Sequence, residues 1–197
     1  MMKKLLITGF EPFGGEKINP SWDAVSLLPE NINGYTLTKL RLPVVFEKSA
    51  KILVETAENL CPDVIIAVGQ AGGRSAITPE YIGINLRNAN VPDNDGNLPK
   101  DERIVEGGQD AYFSTIPVRK IAENIKNKGI DAQVSYSAGT FVCNDVLYTL
   151  LSHFNGTNTK VGFIHVPYST DQGKDPSMNM DDIVKGLTIA IESLEDR

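Results

Sequence analysis

The chain has 197 residues, of which 41% are hydrophobic and 22% charged, the proportions of a soluble globular protein with room for a sizeable core. Its formal net charge of −6, with no cluster of lysines and arginines, argues against nucleic acid as a partner. Its two cysteines cannot build a disulfide framework and neither has a zinc-ligand spacing, so both are expected as free thiols in a reducing compartment.

The first apolar run, "KKLLITGF", is too short for a signal-peptide core or a membrane span, so a cytoplasmic protein without a membrane partner is expected. It ends near glycine and reads as a buried strand, as does the β-branched "DVIIAVG". Between them, Asn19 in "INPSW" suits the cap of a helix beginning at "PSW". Phe46, Ala50, Leu53, Ala57 and Leu60 then form an amphipathic stripe, with Pro43 expected in the first turn and "CP" as the stop.

"ITPEYIGINLR" alternates like a further strand and would put Glu80 on the side of Ile82, Ile84 and Leu86, where a carboxylate needs a reason. From Arg87 to about Phe113 there is no period, and connections of that length usually cover a site, which marks the segment as a candidate lid. Within it "DNDGN" is read as a turn. A calcium loop starting at Asp93 would need glycine where Leu98 stands and glutamate where Ile104 stands.

Val118, Ile121, Ala122 and Ile125 behind Pro117 indicate a helix closed by Gly129. "DAQVSYSAG" reads as a strand, a helix starts around Val142, "KVGFIHVP" is another buried strand, and Val184, Leu187, Ile191 and Leu194 mark a last helix. Strands alternating with helices predict an α/β fold, a mostly parallel sheet covered on both faces, with ligands at the carboxyl ends of its strands. No internal repeat or composition shift divides residues 1–197, so one domain is expected.

Cys143 falls in the first turn of its helix, where free N–H groups and the helix dipole are expected to lower a thiol's pKa. His165 falls at the carboxyl end of a strand, whereas His153 lies near the far end of the Cys143 helix. A lone cysteine is more often a small buried hydrophobe than a nucleophile, and Cys61, beside Pro62 with no base nearby, is read as structural. Cys143 with His165 makes a chemically sensible nucleophile and base, and Glu80 is the best-placed carboxylate to orient the imidazole. The glycines of "GFEPFGG" and "GQAGGR" fit no phosphate-binding pattern and are read as turns.

Together "ITGFEPFGGEKINPSW", "GQAGGRSAITPEYIGIN", "VPDNDGNLP", "SAGTFVCND" and "GFIHVPY" resemble the pyroglutamyl peptidase I, or pyrrolidone-carboxylate peptidase, family over nearly the whole chain. The resemblance implies a three-layer α/β/α sandwich with a twisted, mostly parallel sheet. It also implies a cysteine exopeptidase that removes N-terminal pyroglutamate from peptides without metal or organic cofactor, commonly as a homotetramer. The family's triad falls on Glu80, Cys143 and His165.

A pyroglutamyl group is a neutral lactam, so its recognition calls for an apolar slot with one donor and one acceptor. Phe10, Phe13 and Phe141 are expected to form the slot and Asn19 and Gln70 the polar contacts, while Val91 and Val142 match positions near the family's pocket. Backbone N–H groups at the start of the Cys143 helix would hold the oxyanion. Many relatives read "ARIPDN" where this chain reads "ANVPDN", so Asn90 replaces an arginine expected near the site. Two alternatives are a nucleoside phosphorylase-like transferase on a similar sandwich and a pyroglutamyl-binding protein with weak or no turnover.

Overall fold

Two faces of one sheet take up the apolar residues of the chain, and the alternation along each strand decides which face each side chain joins. The computed structural model describes residues 2–195. In chain order the elements are β1 (Lys3–Phe10), α1 (Pro20–Leu27), β2 (Asn31–Ile32), β3 (Tyr35–Leu42), α2 (Lys48–Leu60), β4 (Val64–Gln70), β5 (Thr78–Pro79), β6 (Ile82–Ile84) and β7 (Ala111–Phe113). They continue with α3 (Val118–Asn127), α4 (Val142–His153), β8 (Lys160–Val166), β9 (Tyr168–Ser169), β10 (Ser177–Met178) and α5 (Met180–Glu192).

The main sheet has the order β2-β3-β1-β4-β8-β5, parallel except for β2 and β5 at its two edges. Leu5 and Ile7, Val64 and Ile66, and Ile164 and Val166 point to a core completed by α1, α3 and α5. Leu6, Ile65, Ala67, Val161 and Phe163 point the other way, to a core completed by α2 and α4. This is the expected three-layer α/β/α sandwich. Strand alternation carries Gly69 and His165, paired in register, to the α4 face at the carboxyl ends of β4 and β8. Among the described residues no helix is long and apolar enough to cross a membrane.

The helix behind Pro117 runs over Val118–Asn127 and ends before Gly129, whose φ of 81° suits a residue without a side chain. The helix after Pro43 starts later than expected, at Lys48. Glu47 has φ 60°, outside the helical region, and the N–H groups of Phe46 and Glu47 donate instead to the carboxylates of Asp93 and Asp145. Pro43 therefore belongs to a turn before the helix.

"ITPEYIGINLR" is not one strand. Thr78–Pro79 pairs with β8 in the main sheet, whereas Ile82–Ile84 pairs with β7 in a separate ribbon, so the chain changes partners at Glu80. "DAQVSYSAG" runs beside it with only the isolated bridges Ile77 to Ala132 and Glu80 to Ser135. Pro79 stands between the two bridges and has no N–H to close a ladder, which is why the segment remains outside the regular sheet.

The long segment 87–113 folds on itself. Asp93 accepts from the backbone N–H groups of Asp95 and Asn97, and Gly96 N–H closes the turn onto the Asp93 carbonyl. Arg87 and Glu102 form a bridge, and Ala111–Phe113 pairs with β6.

Candidate active site

α4 begins at Val142, as its apolar period requires, with Cys143 as its second residue and no side chain capping its start. The two residues after Cys143 fix that start. Asn144, 1% exposed, donates to the carbonyls of Ile84 and Leu86 and accepts from the Ile84 N–H. Asp145, fully buried, pairs with Arg87 at 2.6 Å and accepts the Glu47 N–H at 2.9 Å. α4 is thereby tied to β6 and to the segment before α2.

The cysteine approaches the sheet so closely that no side chain fits beneath it. A Cβ on Gly69 would lie 2.9 Å from Cys143 Sγ and 2.8 Å from Phe163 Cζ. His165, 4% exposed, stands beside Gly69 in the neighbouring strand, and its Nδ1 lies 2.7 Å from Glu80 Oε1. Glu80 is fully buried, which answers the question raised by a carboxylate in an apolar run. It sits where the chain leaves β5, with its N–H donating to the Phe163 carbonyl.

Arg74, at the end of the "GQAGGR" turn, donates to the same Glu80 oxygen at 2.8 Å, to Thr78 Oγ1 and to the Ser137 carbonyl. Burial opposes ionisation of Glu80, but its interaction with His165, then the hydrogen bonds of Ser135 and Arg74, hold its carboxyl below the usual range. The thiol behaves opposite to expectation. Burial, reinforced by the negative charge of Glu80, pushes Cys143 up to about 12, and neither Arg74 nor the cysteine's own N–H offsets this. The helix start is present, with burial and the Glu80 charge working against it, and the residue keeps partial exposure.

A cavity of about 250 Å³ opens over these groups. Cys143, His165, Arg74 and Gln70 line one part of it, and Phe10, Phe13, Phe141, Val142 and Asn19 another. The rings of Phe13 and Phe141 are 6.4 Å apart, and Phe46 meets Phe141 edge-on at 5.1 Å. The structure thus gathers nine of the ten residues expected at the site. Glu80 is among them through His165, behind the wall.

Val91 is the exception. It is 58% exposed and outside the cavity lining, because the segment 87–113 packs beside the cavity and contributes no residue to its wall. The segment expected as a lid contributes nothing to the cavity wall. Asn90 is also exposed and outside the lining, so the cation near the triad is Arg74, at a position read from the sequence only as part of a turn.

Asn19 caps α1 as read: its Oδ1 accepts from the Ser21 N–H and hydroxyl, and its Nδ2 donates to the Glu11 carbonyl. Gln70 accepts at Oε1 from Gln172. Cys61 is an exposed free thiol at the end of α2, and His153, at the end of α4, pairs with Glu58. Among the described residues no group of three or more His, Cys, Asp or Glu is arranged to hold a metal ion.

A family model described as pyroglutamyl peptidase matches residues 3–197. A pyrrolidone-carboxylate peptidase of Lactobacillus helveticus is 49% identical over 195 residues, covering 96% of this chain and 98% of that protein. The solved pyroglutamyl peptidase I of Bacillus amyloliquefaciens superposes with a TM-score of 0.94 at 46% identity, covering 98% of this chain and 96% of that one. A variant pyrrolidone carboxyl peptidase from P. furiosus gives a TM-score of 0.93 at 43% identity, covering 98% and 99%.

Proposed function

The chain belongs to the pyroglutamyl peptidase family, and from that premise we propose how its cavity releases an N-terminal pyroglutamyl residue from a peptide. It is a cysteine peptidase. Cys143 is the nucleophile, His165 the proton carrier and Glu80 the group that orients the imidazole. The observation that carries these roles is the buried Glu80 to His165 contact at 2.7 Å, made through Nδ1, with imidazole and thiol lining one cavity.

With Nδ1 facing Glu80, the other ring nitrogen is left to take the thiol proton as sulfur attacks the pyroglutamyl carbonyl. The sulfur–carbon bond forms as the carbonyl electrons move onto oxygen, and first-turn N–H groups of α4, that of Cys143 included, hold the oxyanion. The tetrahedral species collapses, the C–N bond breaks, and the imidazolium gives its proton to the departing amine. Water, deprotonated by the same imidazole, hydrolyses the thioester and frees pyroglutamate and the thiol.

The phenyl walls of Phe10, Phe13 and Phe141, with Val142, suit an uncharged five-membered ring. Gln70 keeps its amide N–H groups for the ring carbonyl, since the known contact with Gln172 uses its oxygen. Asn19 contributes chiefly by fixing α1 against the cavity wall, because its oxygen is committed to Ser21. Cytoplasmic residence and a homotetramer belong to the same proposal, supported by two free thiols and by the family resemblance.

The test is release of a chromophore from a pyroglutamyl anilide. Release by the wild type, its loss in Cys143→Ala, and protection of Cys143 from alkylation by a pyroglutamyl aldehyde are expected. A folded wild type that releases nothing would sink the proposal, and light scattering settles the assembly.

A further inference from the structure

A fully buried carboxylate whose two charged or titratable partners both meet one oxygen needs a specific reason to stay ionised. Glu80 meets both His165 Nδ1 and Arg74 Nη1 through Oε1, and among the described residues its buried Oε2 has no partner. The charged or titratable groups facing it are His165 from β8, Arg74 from the turn after β4, and Cys143 from α4. The neighbouring segment 131–139 bridges to it at Ser135, whose uncharged side chain also helps to lower the Glu80 carboxyl. Of these, Arg74 alone is a permanent cation.

We propose that Arg74 is a positioning residue of the reaction, acting through Glu80. Its guanidinium adds a permanent charge to the hydrogen bonds that keep Glu80 a carboxylate, so that the Glu80 contact holds the imidazole through Nδ1 and leaves its other nitrogen to accept the thiol proton. Without it, the buried negative charge is relieved by one extra proton taken up by the pair. If that proton goes to Glu80, the carboxyl no longer dictates the imidazole tautomer. If it goes to His165, the base is already spent. In both cases the nucleophile loses its proton acceptor.

The placement of Arg74 suits this role. Its side chain is 31% exposed and held on three sides, by Glu80, by Thr78 Oγ1 at 2.7 Å and by the Ser137 carbonyl at 3.0 Å. The Ser137 contact ties the guanidinium to the strand of wall that continues through Ala138 and Gly139 beside the cavity. The turn that presents it is anchored by the Ala71 N–H donating to the Val166 carbonyl, one residue past His165. Arginine matches the site better than lysine because one planar group reaches several fixed acceptors.

The inference rests on the proposed roles of Glu80, Cys143 and His165, and the experiment separates the two. The kcat/KM of wild type, Arg74→Met and Arg74→Lys is measured against pH with the pyroglutamyl anilide, alongside Cys143→Ala. In Arg74→Met the acidic limb should move about one to three pH units upward, as loss of a neighbouring charge does. At pH 7 kcat should fall about a hundredfold, the scale of general-base catalysis, with KM changing far less. Arg74→Lys should return the limb most of the way. In a Glu80→Gln background, replacing Arg74 should cost little further.

A limb that stays at the wild-type pH, an equal loss at every pH, or additive losses with Glu80→Gln would overturn the role of Arg74. Activity surviving in Cys143→Ala would instead overturn the underlying roles. Should Arg74→Met fail to fold, Arg74→Gln carries the same comparison of limbs.

Discussion

Replacing Gly69 by alanine tests how the nucleophile is seated, because it adds one methyl group where the structure has room for none. The new Cβ would lie 2.9 Å from Cys143 Sγ, 2.8 Å from Phe163 Cζ and 3.0 Å from Phe163 Cε1. Restoring an ordinary contact of about 3.5 Å requires the thiol or the ring to move by roughly 0.6 Å. The ring has little freedom: it is fully buried, with the His165 ring centroid 4.7 Å away on one side and that of Phe10 at 6.4 Å. Displacing it moves His165, the proposed base, and displacing the sulfur moves the proposed nucleophile. Overpacking of this kind costs about 1–3 kcal/mol. For a chain of this size that lowers Tm by roughly 2–12 °C. Misplacement approaching 1 Å at a reacting atom costs up to about a hundredfold in rate. Thermal melting and anilide kinetics check both halves, with the loss expected in kcat rather than KM. Wild-type Tm and kcat would refute the packing argument, and a lowered Tm with unchanged kcat would refute its catalytic half.

The resting nucleophile is expected to be a thiol. The ultraviolet thiolate absorbance of wild type minus Cys143→Ala should be absent at neutral pH and grow only toward a pH of about 12, and a thiolate signal at pH 7 would contradict it. Glu80 has a folded-state pKa below its ordinary 4.5, so its ionisation stabilises the fold above that pH and the contribution is lost as pH falls through the depressed value. Melting curves should therefore decline less steeply below pH 4.5 in Glu80→Gln than in wild type; parallel declines would argue otherwise. Asn90→Arg should leave kcat/KM within about twofold, as for an exposed side chain outside the cavity, and a large gain would return that position to the site.

What could be read from the sequence was what depends on neighbours along the chain. β1, β4 and β8 stand where apolar runs end near glycine, and α4 starts at Val142 because its apolar period starts there. Cys143 and His165 stood out by residue type at a helix start and a strand end, Glu80 as a carboxylate on an apolar face, and the family resemblance joined the three. The errors came where tertiary partners decide. The stripe that begins at Phe46 continues the α2 period, yet Asp93 and Asp145, distant in sequence, claim the N–H groups there and delay the helix. Alternation runs unbroken through Glu80 although the strand does not, since alternation records burial and not the identity of the pairing strand. Arg74 left no readable signal, because a lone arginine closing a glycine turn becomes significant only when the turn brings it onto Glu80.

The upward Cys143 shift, opposite to what a helix start alone favours, has a related cause and bears on how the site works. A helix start favours an anion less where the thiol is partly withdrawn from water, and the cavity lined by Cys143 is also lined by the phenyl rings that fit an uncharged lactam. Recognition and a stable thiolate are thus in conflict: a drier slot suits the substrate and penalises the anion. Glu80 sharpens the conflict, since the charge that orients His165 also repels a thiolate. The conflict is resolved if charge never rests on sulfur. Proton transfer to His165 concerted with attack passes the negative charge to the substrate oxygen at the α4 N–H groups, while the imidazolium forms against Glu80. An acidic partner that would be a liability beside a preformed thiolate becomes an advantage when the transition state, and not the resting enzyme, carries the imidazolium.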